Sequence, residues 1–226
     1  MNRFVDRVHA GKILAQVIMQ QRASLGVAEQ VSKSIVLALP RGGVPVAVPI
    51  AEALGAPLDL LLVRKLGIPG HEEVAMGAIS VGGVEYLNRD LIARIGIPTA
   101  AVARVRATET AELARRNQKY RDGRAPPDVR GKTVYVVDDG IATGATMRAA
   151  ILALKTMQPH KIIAVAPVGA QDTVQEVGEV ADEVVVMLQP HDFQSVGLWY
   201  RTFDQTEDEE VLALLAKMQN RNLNAA

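Results

Sequence analysis

The apolar positions of this chain fall into short unbroken runs separated by stretches of helical spacing. Segments 34–39, 58–63, 133–137, 161–167 and 183–188 lack polar alternation and are rich in Val, Ile and Leu, which predicts strands buried on both faces of a parallel sheet. Between them, 44–54 reads as a helix ending near Gly55, 145–157 as a second, and 174–177 as part of a third. Strand and helix signals in alternation predict an α/β fold, with a central, mainly parallel sheet flanked by helices, rather than a sandwich or a bundle.

Two segments break the rhythm. Residues 67–98 contain eight Gly or Pro breakers, too many for a helix or a buried strand, and predict a flexible loop and hairpin insertion, with a β-hairpin over 78–86 turning at Gly82-Gly83. Residues 99–123 predict a long charged helix, with Thr99 as cap, Gly123 as closure and Pro126-Pro127 beyond it. Its arginines Arg104, Arg106, Arg115, Arg116 and Arg121 read as a solvated face, with Glu109 and Glu112 at pairing distance along the helix. Near the end, Thr206 and Glu209 form a capping box ahead of the stripe Val211, Leu212, Leu214 and Leu215. The chain is read as one domain over 1–226, with 188–226 forming a small hood and a helix.

Composition narrows the choice of partner. A length of 226 residues at 49% hydrophobic can bury a full α/β core. Lys plus Arg equals Asp plus Glu at 25 each, so no global basic field points to nucleic acid. The absence of cysteine excludes disulfides and thiolate chemistry. No window approaches the ~18 apolar residues of a membrane span, and the segment from Met1 to Arg7 has no long apolar core; these predict a cytoplasmic protein. His9, His71, His160 and His191 are scattered, so no protein metal site is expected.

Candidate chemistry lies at strand ends. The run 134–137 leads into Asp138-Asp139-Gly140-Ile141-Ala142-Thr143-Gly144-Ala145-Thr146. Gly140 and Gly144 permit a sharp turn, Thr143 and Thr146 offer hydroxyls, and N–H groups at the start of a helix can face one anion. The two aspartates suit hydroxyl donors, though a tight turn whose carboxylates cap the next helix would have the same sequence. Pro40-Arg41-Gly42-Gly43 follows another strand, at the edge of an open sheet where ligands bind, and Arg41 brings a forked guanidinium suited to phosphate oxygens. Arg64-Lys65 ends the apolar run 58–63; it is either an ordinary strand-end pair or an anion contact. Phe193, Trp199, Tyr200 and Phe203 cluster in a chain with only 4% aromatics, either to stack on a flat ligand or to form a satellite core.

The strand, acidic pair and Thr-Gly-Ala-Thr loop resemble the signature of the type I phosphoribosyltransferases. The order of motifs along the chain is similar to a bacterial group of that family with no assigned acceptor. The resemblance implies that Asp138 and Asp139 hold the ribose hydroxyls of phosphoribosyl pyrophosphate (PRPP) and that Ile141 to Thr146 wrap its 5′-phosphate. It further implies that Arg41, Gly42 and Gly43 form a pyrophosphate loop, often with a strained non-proline peptide, and that Arg64 and Lys65 meet the leaving group from a mobile loop containing His71. Phe193 and Trp199 would face the acceptor. Mg²⁺ held mainly by substrate oxygens, a small-molecule nitrogenous acceptor and a homodimer are likewise implied. A PRPP-binding regulatory protein without turnover is the alternative, with an aspartyl-phosphate enzyme third. The chain has no Gly-Lys-Ser/Thr and no Gly-x-Gly-x-x-Gly, which removes the P-loop and dinucleotide readings.

Overall fold

In the computed structural model, residues 3–24 and 34–224 are described, apart from the side chains of 73 and 222–224. In chain order the elements begin α1 (Arg7–Ser24), β1 (Ser34–Ala38), α2 (Gly43–Leu54), β2 (Leu58–Leu60), β3 (Val63–Ile68), β4 (His71–Ser80), β5 (Val84–Leu87), α3 (Arg89–Ile95) and α4 (Thr99–Arg121). They continue with β6 (Thr133–Val137), α5 (Ala145–Lys155), β7 (Lys161–Val168), α6 (Gln171–Gly178), β8 (Glu183–Leu188), a 3₁₀ turn (Val196–Trp199) and α7 (Asp208–Asn224).

The central sheet is wholly parallel, in the order β2-β1-β6-β7-β8. Its inner strands β1, β6 and β7 are apolar along most of their length because both faces are covered. Ile35 and Leu37 of β1, Val134 and Val136 of β6, and Ile162, Ala164 and Ala166 of β7 pack with Met147, Ile151 and Leu154 of α5 and Val177 of α6. The alternate residues Val36, Ala38, Tyr135, Val137, Ile163 and Val165 pack with α1, α2 and α7 through Leu14, Ile18, Ile50, Val211 and Leu215. A side-chain period of 2 thus sends successive residues into two cores. Helix α2 is apolar nearly all round, since it lies between α1 and the sheet. Its contact with α1 is close: a Cβ on Gly11 would lie 2.3 Å from the Val46 carbonyl oxygen.

A second, antiparallel sheet in the order β3-β4-β5 departs from the expected layout. The apolar run 58–63 is two strands: β2 stops at Leu60, Leu61 and Leu62 cross between the sheets, and Val63 opens β3. Every residue across the crossing except Asp59 and Val63 is buried, so apolar continuity hides the break. The insertion is accordingly built from strands of this sheet followed by α3. The β4–β5 hairpin turns through Val81, Gly82 and Gly83 between the paired Ser80 and Val84, and the two glycines take φ of +82° and +76°, a left-handed region open to glycine at little cost.

Three local readings are corrected. Pro98, not Thr99, is the N-cap residue of α4. Thr206 lies two positions before the start of α7 and is buried. Arg121 is no part of a solvated face: it is 3% exposed, and its Nε and Nη2 donate to the two oxygens of Asp59 at 2.9 and 2.8 Å. Helix α1 lacks any motif announcing it. Asp6 starts it by accepting a hydrogen bond from the His9 N–H at 2.7 Å. Among the described residues no helix is long and apolar enough to cross a membrane.

Candidate functional site

The site begins where β1 and β6 end side by side, with Ala38 opposite Val137. The Leu39 N–H donates to the Val137 carbonyl at 2.9 Å, and the Pro40–Arg41 peptide that follows is cis. The two glycines then allow the loop after β1 to press on the loop after β6. A Cβ on Gly42 would stand 1.9 Å from Oδ2 of Asp139, and one on Gly43 would stand 2.5 Å from the Val137 carbonyl oxygen. Any larger residue would push the two loops apart. The Arg-Gly-Gly and Asp-Asp motifs, almost 100 positions apart in the chain, therefore form one surface.

The acidic pair is held from several directions. Oδ1 of Asp138 accepts the Asp139 N–H at 2.9 Å. Oδ2 of Asp139 accepts from Nε of Arg7 at 2.8 Å, and the Asp139 carbonyl accepts from the Tyr200 hydroxyl at 2.6 Å. Burial first, and the neighbouring Asp139 charge second, push the Asp138 carboxyl well above the ordinary carboxylate range. The Tyr200 phenol is also pushed up, chiefly by burial. Ionising Asp138 at its place is thus unfavourable in the unliganded protein, and a stability test follows. Because the folded-state value is raised, Asp138 costs no stability below the ordinary carboxylate value and an increasing amount above it. Asp138→Asn is expected to raise the melting temperature at pH 7 to 8, and the gain is expected to vanish by about pH 3.5, below the unperturbed Asp value. Thermal unfolding of both proteins across this range checks it; equal midpoints at pH 8 would remove the burial argument.

Residues Gly140 to Thr146 then curve around the start of α5. Ile141 is an anchor, 2% exposed, with its N–H on the Val168 carbonyl at 2.8 Å and its carbonyl accepting from Ala170 at 3.1 Å. Gly144 has φ of +66°, and a Cβ there would meet the Thr173 methyl at 2.5 Å, so conformation and space both call for glycine. No side chain caps α5, while Ala142, Thr143 and Thr146 are exposed around its first turn. Free helical N–H groups beside two hydroxyls suit an anion.

The remaining candidates lie farther out. Arg41 points toward the start of α7, with Nη1 3.6 Å from Glu207 and 3.7 Å from Asp208. Asp208 also accepts hydrogen bonds from Lys119 and Tyr120. These hold its carboxyl below the usual range, while burial and the adjacent Asp208 push the Tyr120 phenol up to about 12. Arg64 and Lys65 lie on β3 of the antiparallel sheet, not at the end of the parallel one as their place after an apolar run predicts. Nε of Arg64 donates to Glu109 of α4 at 2.6 Å. With Arg104, Arg116, Pro40 and Thr146, these two residues line a cleft of about 620 Å³ between the loop after β1, strand β3, helix α4 and the start of α5. His71 is exposed at the start of β4.

Of the aromatic cluster, Trp199 is not an open stacking surface. It is 7% exposed and packs with Phe4, Ala10, Val168 and Tyr200, and its Nε1 is buried without a hydrogen-bond partner among the described residues. Phe193 is half-buried against the same cluster. The satellite-core reading holds for Trp199, because the N-terminal segment covers it: the Phe4 N–H donates to the Trp199 carbonyl at 2.9 Å. Arg7 is the site residue that sequence reasoning missed. Its partner Asp139 lies 132 positions away, and no motif surrounds it.

A family described as Phosphoribosyl transferase domain matches residues 6–199. Two proteins from strains of Mycobacterium tuberculosis, named provisionally as phosphoribosyl transferases, are 43% identical over 215 residues, covering 95% of this chain and 47% of theirs. The chain thus spans about half the length of these curated relatives. The crystal structure of TT1426 from Thermus thermophilus is 38% identical, covers 96% of this chain and 99% of that one, and superposes with a TM-score of 0.85. With matches over this much of its length, the chain belongs to the phosphoribosyl transferase domain family.

Proposed function

We propose that the protein transfers a phosphoribosyl group from PRPP to a small nitrogenous acceptor and releases pyrophosphate. The observation that carries this reading is the interlock of the two glycines after β1 with the acidic pair after β6, which puts a cation-bearing loop, two carboxylates and a helix start on one sheet edge. In this reading the α5 N-terminus with Thr143 and Thr146 binds the 5′-phosphate, and Asp138 and Asp139 take the ribose hydroxyls. The loop at Arg41 to Gly43 faces the diphosphate, with the cationic wall of the cleft, Arg64, Lys65 and Arg104, beyond it. As the bond from C1 to the diphosphate breaks, positive charge grows on the ribose ring beside the carboxylates and negative charge leaves toward the cations. The chain's contribution is position and fixed charge, and no covalent nucleophile is called for.

Mg²⁺ fits this arrangement as a substrate-held ion. Among the described residues no three His, Asp or Glu side chains converge as a cage, and small hard Mg²⁺ keeps water and phosphate oxygens as ligands. Any contact with the chain would fall to Asp138 and Asp139. When bound, the ion offsets charge on the diphosphate.

The test is pyrophosphate release from PRPP and Mg²⁺ with pooled purines, pyrimidines, pyridines and small amines. Release that requires the pool supports the transferase, and splitting the pool then identifies the acceptor. PRPP binding by calorimetry without release from any pool would make the protein a PRPP-binding regulator instead.

A further inference from the structure

One guanidinium joins three separate parts of the chain at the acidic pair. Arg7 is in the first turn of α1. Its Nε donates to Oδ2 of Asp139 at 2.8 Å and its Nη1 to the Asp204 carbonyl at 2.6 Å. Its Cζ lies 3.8 Å above the centre of the Phe203 ring, which in turn packs on Tyr200 with centroids 4.8 Å apart. Tyr200 closes the circuit by donating to the Asp139 carbonyl at 2.6 Å. The Arg7 side chain is only 12% exposed and that of Asp139 only 17%, so the pair is shielded from the water and salt that weaken surface ion pairs.

We propose that Arg7 is a positioning residue for ribose binding, acting through Asp139 and tying that carboxylate to the C-terminal hood; this rests on the reading of Asp139 as a ribose ligand. The geometry gives it that task. Oδ2 of Asp139 is wedged between Nε of Arg7 and the backbone of Gly42, where a Cβ would come within 1.9 Å. The carboxylate therefore cannot rotate freely, and the oxygen not engaged by Arg7, Oδ1, is the one left to meet a hydroxyl. A guanidinium suits this better than an ammonium, because one planar fork reaches the carboxylate and the Asp204 carbonyl together while its face rests on an aromatic ring. The hood, whose tryptophan is buried, would thus bear on the substrate by fixing Asp139 rather than by stacking on a base.

A double-mutant cycle on PRPP affinity tests this. Calorimetric titration of Mg·PRPP, without acceptor, would be run on the wild type, Arg7→Gln, Asp139→Ala and the double variant, with melting temperatures recorded for each. If Arg7 acts through Asp139, Arg7→Gln weakens PRPP by tenfold or more when Asp139 is present and by no more than about twofold in the Asp139→Ala background, where nothing is left for Arg7 to hold. Arg7→Lys, which keeps the charge and loses the fork, falls between the wild type and Arg7→Gln. Equal losses in the two backgrounds would mean that Arg7 only supports the fold, and an unchanged or tighter affinity in Arg7→Gln would mean that it positions nothing; either overturns the inference alone. A wild type that does not bind Mg·PRPP removes the ribose-phosphate reading, and this inference with it.

Discussion

Asp139→Asn is expected to lower pyrophosphate release from Mg·PRPP by about a hundredfold or more, the scale on which a single well-placed charge partner contributes to a transition state. Asparagine keeps the shape of the side chain and can still accept from Nε of Arg7, so the two loops should remain interlocked and the melting temperature should change little. What disappears is the negative charge beside the ribose ring, where positive charge grows as the diphosphate leaves. The remaining Arg7 guanidinium, 12% exposed, then adds an unbalanced positive field to a carbon that is itself becoming positive. The effect should therefore fall mainly on the maximal rate, with a smaller change in PRPP affinity. Steady-state kinetics at saturating PRPP check this, and a variant with undiminished maximal rate would mean that the acidic pair is not at the reacting centre.

The largest expected effect on stability lies away from the site, at Asp59. Its two carboxylate oxygens accept the fork of Arg121, which also donates to the carbonyls of Arg124 and Ala125 at 3.1 and 2.8 Å. Because the Arg121 side chain is 3% exposed while that of Asp59 is 24%, Asp59→Ala strands a guanidinium that water cannot reach. Removing one partner of such a pair costs about 3 kcal/mol, the lower end of the range because Asp59 keeps some water. In a protein whose total stability is on the order of 10 kcal/mol, that is a large share. Chemical denaturation should show the midpoint fall with little change in slope. Asp59→Ala combined with Arg121→Met should cost less than Asp59→Ala alone, since no charge is then left buried. A drop below about 0.5 kcal/mol for the single variant would show the pair to be an ordinary surface contact.

Arg121 also shows why helix periodicity misled. On α4 it belongs to the same run of arginines as Arg115 and Arg116, which do pair with Glu112 along the helix. Only the approach of β2, with Asp59 at its centre, turns one member of that run inward. The break between β2 and β3 was hidden for a related reason. Leu60, Leu61 and Leu62 are all buried, Leu61 in the core under α5 and the other two in the core under α2, and burial on either side reads the same in a sequence. That crossing moves Arg64 and Lys65 off the parallel sheet and onto the wall of the cleft. The aromatic cluster could be read either as a stacking site or as a core, and the N-terminal segment decided in favour of the core for Trp199.

The sequence alone determined the elements whose reasons are local. Strands buried on both faces leave no polar alternation, so β1, β6 and β7 were legible within a residue or two, and the edge strand β8 was legible from its apolar run although only Val185 in it is buried. A Gly-Gly pair demanding positive φ marked the β4–β5 hairpin, and a phosphate-type loop needs its glycine and threonines at fixed spacing after a strand. Tertiary structure alone decided what depends on contacts between distant segments. Those contacts seat Gly42 against Asp139, aim Arg7 at the same carboxylate, bury Trp199 and Arg121, and raise the Asp138 carboxyl by removing water from it. The physical reason is that backbone propensity and side-chain period act over a few residues, whereas burial and pairing of charge depend on which surface the rest of the chain brings against them.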